Sequence, residues 1–323
     1  MAKYGLHTDW ALALAVEIDR RDVGFCGEFL RASDERRQVI AAYLACRKLR
    51  RSQSEGEFLS TSDHRSILAA AFGDVPVGMR GALSRSGPMI HDQQFYRLLY
   101  DLLAKPIHAE MTRCIARIPE LNLMRLHIVQ HLPEWICRAN VVLSIDTAEE
   151  CRDVKTGFNL LVSRGVDPGA LAAAIRKVRT HREFTNLWKR WVLKARLPQH
   201  PVPPSDEYRP IETGHELQNL ARNYRNCARR YLPSLFDEEG GDAFAEITHG
   251  GHSAVIHLRR DGGDWQLEGI HGHRNRRPRE GLRERISQYL EVHGVRLQPR
   301  ARKGLTDWAT LERLMSRHRF GFE

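Results

Sequence analysis

The chain reads as an α+β protein: a mainly helical N-terminal domain followed by a small domain in which helices flank a three-stranded antiparallel meander. Three observations predict it. Apolar residues recur at helical spacing through the first two hundred positions. Prolines crowd at 198, 201, 203, 204 and 210, which marks a stiff, extended connection. After it, three short strand-like runs are joined by glycine pairs. The expected organisation is therefore a helical domain over 1–197, a proline-rich linker over 198–210 and an α+β domain over 211–323.

The N-terminal elements follow in order. Leu12, Leu14, Ala15 and Ile18 predict an opening amphipathic helix. Val39, Ile40, Tyr43, Leu44 and Leu49 continue that pattern into the basic string Arg47-Lys48-Leu49-Arg50-Arg51. Gly73, Pro76, Gly78, Gly81, Gly87 and Pro88 predict a loop over 73–90. Helices are expected over about 92–104, 106–118, 120–130 and 148–163, several opened by a proline near the first turn. Asp167-Pro168-Gly169 starts another, read as one long basic helix over 171–196. Its Trp188 and Trp191 are expected to pack on the N-terminal helices with the arginines solvated.

In the second domain, Thr213 and Glu216 have the spacing of a capping box. In the helix they open, Leu217, Leu220, Tyr224, Cys227, Ala228, Tyr231 and Leu235 fall on one face, with Arg222, Arg225, Arg229 and Arg230 mostly off it. Three strands are expected at 243–248, 253–259 and 265–270, turned by His249-Gly250-Gly251-His252 and Asp261-Gly262-Gly263. Alternation places Ala254, Ile256 and Leu258 on one side. Helices over about 279–293 and 305–319 close the chain.

Composition bounds the function classes. The chain has 323 residues, 42% apolar and 28% charged, an ordinary globular balance. It contains no run of eighteen apolar residues, so no span is expected. Its start lacks a signal-peptide apolar core, and a cytoplasmic location is expected. The six cysteines are scattered, with no CxxC pair, as in reduced proteins. The formal charge is +10, carried mostly by arginine, whose planar fork bonds phosphates bidentately. That balance by itself strengthens a nucleic-acid reading only modestly, so where the charge sits matters.

The order helix, strands, basic turn resembles the PcfJ-like proteins of conjugative elements, phages and bacterial chromosomes. In the helix, Asn226-Cys227-Ala228-Arg229-Arg230-Tyr231 matches a Cys followed four residues later by Tyr. Ala254-Val255-Ile256-His257-Leu258 matches the aliphatic second strand, and Trp265-Gln266-Leu267-Glu268-Gly269-Ile270 the third. Gly272-His273-Arg274-Asn275-Arg276-Arg277-Pro278 matches a Gly-x-x-Asn-x-x-Pro turn. The resemblance covers 80 to 100 residues. It implies an association with mobile elements and DNA metabolism, and supplies neither a cofactor nor an established activity. Asn226 stands where the family usually has His, so no His–Cys pair is implied.

Several residues are candidates for chemistry. Cys227 near arginines could be a nucleophile, although its place on the apolar face favours core packing, as does that of Tyr231. His249, His252, His257, His271 and His273 crowd together, and a strand-borne His271-x-His273 would present both rings to one side, like a metal pair. No further ligand pattern completes the set, and no metal or cofactor is expected. Arg274, Asn275, Arg276 and Arg277, helped by Arg225 and Arg229, are the expected phosphate contacts. A solvated basic turn and an anionic protein partner are the alternatives. Walker, GxGxxG, HExxH, GxSxG and deaminase signatures are missing, and Asp242, Glu246 and Glu268 follow no recognised nuclease spacing. The first reading is a nucleic-acid-binding protein, DNA ahead of RNA, contacting backbone phosphates. The alternatives are a nuclease or transferase using Cys227, His257 or His271, and a protein-binding adaptor of a mobile-element or defence complex.

Overall fold

The structure is a computed structural model that describes residues 9–46, 55–104, 109–232, 234–236 and 241–297. The basic string at 47–51, the first residues of the helix expected from 106 and the helix expected at 305–319 lie outside the described residues. The chain divides into two compact units, Met1–Trp191 and Val192–Glu323. Among the described residues no helix is long and apolar enough to cross a membrane.

The first unit is helical. Its central helix, Asp34–Cys46, buries Val39, Ile40, Ala41, Ala42, Leu44 and Ala45, too many for one stripe, as befits a helix surrounded by others. The buried Gln38 is satisfied: it donates to the carbonyls of Gly87 at 2.9 Å and Met89 at 2.8 Å and accepts from the Tyr96 hydroxyl at 2.7 Å. Helices Gln93–Ala104, Leu123–His131 and Ala148–Ser163 appear as the apolar spacing predicts. The stretch read as loop, 73–90, holds a short helix, Met79–Ser84, entered through Gly78 at φ 89°. The helix expected to run from 171 to 196 is two, Pro168–Arg176 and His181–Trp191. A second capping box ends the first reading: the Thr180 hydroxyl accepts from the Glu183 N–H at 3.1 Å, and the Glu183 carboxylate accepts from the Arg179 N–H at 2.9 Å. Trp188 packs edge-on to Phe184 and lies against Gly157.

The second unit is built on a four-stranded antiparallel sheet of order β1-β2-β3-β4: β1 Tyr208–Pro210, β2 Asp242–His249, β3 His252–Asp261 and β4 Asp264–His271. The meander β2-β3-β4 turns through Gly250 and Gly251, then Gly262 and Gly263, all at positive φ, which only glycine adopts without strain. The strand not foreseen is β1. It lies in the proline-rich stretch, where Tyr208 pairs with Ile247 and Pro210 with Ala245, and proline is tolerated because this is an edge strand. That stretch packs into the unit, with Val202 and Tyr208 fully buried.

Both faces of the sheet are covered. Ala243, Ala245, Ile247, Ala254, Ile256 and Leu258 meet Leu282, Ile286 and Leu290 of the helix Glu280–Val292. On the opposite face Phe244 and Val255 meet Leu217, Leu220, Ala221 and Tyr224, from the helix Gly214–Asn223 and its end. The register shifts between His257 and Leu258, which face Gly269 and Leu267, so Glu268 is the extra residue of a bulge.

Candidate functional site

The site is built where the helix Gly214–Asn223 stops. Its start is the expected cap: the Thr213 hydroxyl accepts from the Glu216 N–H at 3.2 Å, and the Glu216 carboxylate accepts from the Glu212 N–H at 2.8 Å. Its end comes earlier than the apolar spacing predicts. Arg225 takes a left-handed backbone, φ 49°, the Arg225 N–H donates to the Arg222 carbonyl at 3.2 Å, and the Asn226 N–H donates to the Ala221 carbonyl at 3.0 Å. That pair of bonds is a Schellman motif, with arginine where glycine is usual. The Asn226 side chain then accepts from the Ala228 N–H at 3.1 Å and a 3-10 turn, Ala228–Tyr231, follows.

This ending corrects the reading of one continuous apolar face. Cys227 is exposed, because the chain has left the helix before reaching it. Tyr231 is half-buried rather than core. It lies over the imidazole of His257, ring centroids 4.6 Å apart, and beside Phe244 at 5.4 Å. Burial pushes the Tyr231 hydroxyl above its ordinary pKa.

The basic turn after β4 is stitched to this helix end. The Arg274 N–H donates to the Tyr224 carbonyl at 2.6 Å, and the Gly272 N–H donates to the Arg276 carbonyl at 2.7 Å. Arg274 at φ 56° and Asn275 at φ 58°, with Arg225, are the positive-φ residues other than glycine among the described residues. Strain of roughly 1–2 kcal/mol at each such position is thus concentrated at one junction.

Between helix end and turn lies a recess of about 340 Å³ lined by Gln218, Ala221, Arg222, Arg225, Asn226, Cys227, Arg229, Arg230 and Asn275. Among the described residues its lining has four arginines and no carboxylate. Some other arginines of this unit are paired: Arg209 with Glu246 at 2.6 Å, Arg259 with Asp242 at 3.2 Å, Arg296 with Asp264 at 2.6 Å. Among the described residues Arg222, Arg225 and Arg229 have no such partner. Of the expected phosphate contacts, the structure brings Arg225, Arg229 and Asn275 into the recess. Arg274, Arg276 and Arg277 are exposed on the turn and do not line it. Arg222, Arg230, Gln218 and Asn226 are lining residues that the sequence reading did not select.

Of the candidate catalytic residues, Cys227 lines the recess, whereas His257 and His271 do not. His257 is 3% exposed. Its Nε2–H donates to Asp242 at 2.6 Å and its ring stacks on Phe244 at 4.4 Å. Ser234 also donates to Asp242. Burial pushes the Asp242 carboxyl up, but the hydrogen bonds from His257 and Ser234 and the charge of Arg259 outweigh it and hold the group below its ordinary range. His271 is half-buried with its ring over Gly269, its pKa lowered by burial and by the charge of His257. The strand ends at His271, and His273 sits in the 3-10 turn beyond it, so the alternation that would align the two rings no longer applies. Among the described residues no group of three or more His, Cys, Asp or Glu is placed to hold a metal ion.

The chemistry this arrangement can perform is anion capture. Tyr224, its hydroxyl donating to Glu246 at 2.8 Å and pushed up to about 12 by burial first of all, ties the helix end to the sheet and keeps the recess in place. Comparison with protein-family models, with curated proteins and with solved structures finds no match to this chain.

Proposed function

We propose that the C-terminal unit is a nucleic-acid-binding module, acting on DNA ahead of RNA through phosphate contacts, in keeping with its resemblance to PcfJ-like proteins of mobile elements. The observation that carries this reading is the recess whose described lining has four arginines and no carboxylate. Like charges crowded on one wall repel by a few tenths of a kcal/mol per pair, so the cluster costs stability in the free protein, a cost that a bound polyanion removes. Guanidinium groups bond phosphate oxygens bidentately, and such contacts position a nucleic acid without reading its sequence.

The experiment is fluorescence anisotropy with labelled single-stranded DNA, double-stranded DNA and RNA, from low to physiological salt. Affinity should fall steeply with salt, vary little with sequence and drop at least tenfold in the Arg222→Ala, Arg225→Ala, Arg229→Ala triple variant. Absence of binding to all three polymers, or binding unchanged by salt, rejects the reading.

A further inference from the structure

We infer that the recess takes a terminal phosphomonoester, the phosphorylated end of a nucleotide strand, in preference to the diester phosphates along it. This rests on the nucleic-acid reading above and narrows its ligand.

Charge is the first argument. A backbone phosphodiester carries one negative charge, which one or two guanidinium groups neutralise. Of the arginines that line the recess, Arg222, Arg225 and Arg229 have no acidic partner among the described residues, which is more than a diester needs, and guanidinium charge persists throughout the physiological pH range. A phosphomonoester carries about −1.5 to −2 near neutral pH and presents three strong acceptor oxygens, so it can engage two arginines bidentately with acceptors to spare. One opposing field must be weighed. The recess sits at the carbonyl end of the helix Gly214–Asn223, where the macrodipole amounts to about half a negative elementary charge. That is small against three guanidinium groups, and it stabilises Arg222 and Arg225 where they stand.

Shape is the second argument. The lining comes from the stretch 218–230 together with Asn275 of the basic turn, and the Arg274 N–H to Tyr224 carbonyl bond of 2.6 Å joins helix end and turn. The volume, about 340 Å³, is at the low end of small-molecule pockets and suits one nucleotide unit.

The neutral lining fits as well. Gln218, Asn226 and Asn275 add amide groups without adding charge. Asn226 commits its oxygen to the Ala228 N–H at 3.1 Å, which leaves its NH₂ as the donor toward a ligand. The arginines beyond the recess, Arg274, Arg276 and Arg277, are then placed to follow the adjoining backbone.

The test is competition binding on the full chain with one single-stranded oligonucleotide in three forms: 5′-phosphorylated, 3′-phosphorylated and unphosphorylated. A free nucleoside monophosphate is the fourth arm. At least one phosphorylated end should bind about tenfold or more tightly than the unphosphorylated strand. That preference should shrink as pH falls from 7.5 to 5.5, through the second phosphate ionisation near 6. Arg225→Ala with Arg229→Ala should abolish the preference, while Arg276→Ala with Arg277→Ala should weaken all three strands alike and keep it. Unchanged thermal midpoints identify variants that remain folded, and Arg229→Lys gives a milder one that keeps the charge.

Equal affinity for phosphorylated and unphosphorylated strands overturns this inference and leaves the nucleic-acid reading standing. No binding of any strand removes both. A free monophosphate that competes as well as the strand end supports the phosphomonoester site and assigns it to free nucleotides.

Discussion

Arg225 concentrates the relation between conformation and chemistry in this protein. Its left-handed backbone, φ 49°, ends the helix and turns its own guanidinium and that of Arg229 toward one recess. Glycine would accept the conformation freely, and a β-branched residue would resist it. Arg225→Gly should therefore be at least as stable as the parent, and Arg225→Val less stable by about 1–2 kcal/mol, measured by urea denaturation. Both should lose anion affinity equally, since both lack the guanidinium. Asp242 gives a second expectation. Its folded pKa lies below the unfolded value, so it contributes stability that is present above about pH 4 and lost as pH falls through the lower folded value. Urea midpoints followed from pH 7 to pH 2 should show a smaller acid loss in Asp242→Asn. Asp242→Ala should cost roughly 3–5 kcal/mol, because His257 and Arg259 lose a buried partner. Little of this was legible residue by residue: a helix end made by arginine rather than glycine leaves no mark in the sequence, and Cys227 was assigned to the core for that reason.

At the scale of elements, most boundaries were legible because their signals are local. The glycine pairs that turn β2 into β3 and β3 into β4 must be at positive φ, and the Thr213–Glu216 cap is complete within a few residues. Thr213→Ala should cost about 1 kcal/mol and loosen Arg222 with the helix that carries it. Gly214 shows local propensity losing to packing. Alanine is the better helix former by about 1 kcal/mol, yet a Cβ there would sit 2.8 Å from the Leu193 Cα and 3.1 Å from Leu232 Cδ1. Backbone cannot yield cheaply, and overpacking costs about 1–3 kcal/mol. Gly214→Ala should thus lower the thermal midpoint, and an unchanged or raised midpoint would contradict this packing. Strand β1 and the break at Thr180 escaped the sequence reading for different reasons. Strand β1 is three residues among prolines, recognisable only from the neighbour it pairs with. The capping box at Thr180 and Glu183 was present in the sequence, but the apolar spacing on either side of it masked the break.

At the scale of the molecule, a formal charge of +10 attracts any polyanion, so the share owed to the recess has to be separated from the general field. Counterion release provides the measure. Each phosphate neutralised on single-stranded DNA steepens the fall of log affinity against log salt by about 0.7. The triple alanine variant at Arg222, Arg225 and Arg229 should retain weak binding with a shallower slope than the parent.

The sequence by itself determined what short-range chemistry determines: the helical first unit, the capped helix, the two glycine-turned hairpins and the apolar alternation that gives the sheet its Glu280–Val292 face. The tertiary structure decided where the arginines point. The helix ends in the Schellman turn through Arg225, and the carbonyl of its C-cap residue, Tyr224, accepts from the N–H of Arg274, in a turn beyond the whole sheet. Helical periodicity counted from Thr213 cannot anticipate a bond made across the fold. That ending leaves Cys227 exposed and places four arginines around one recess.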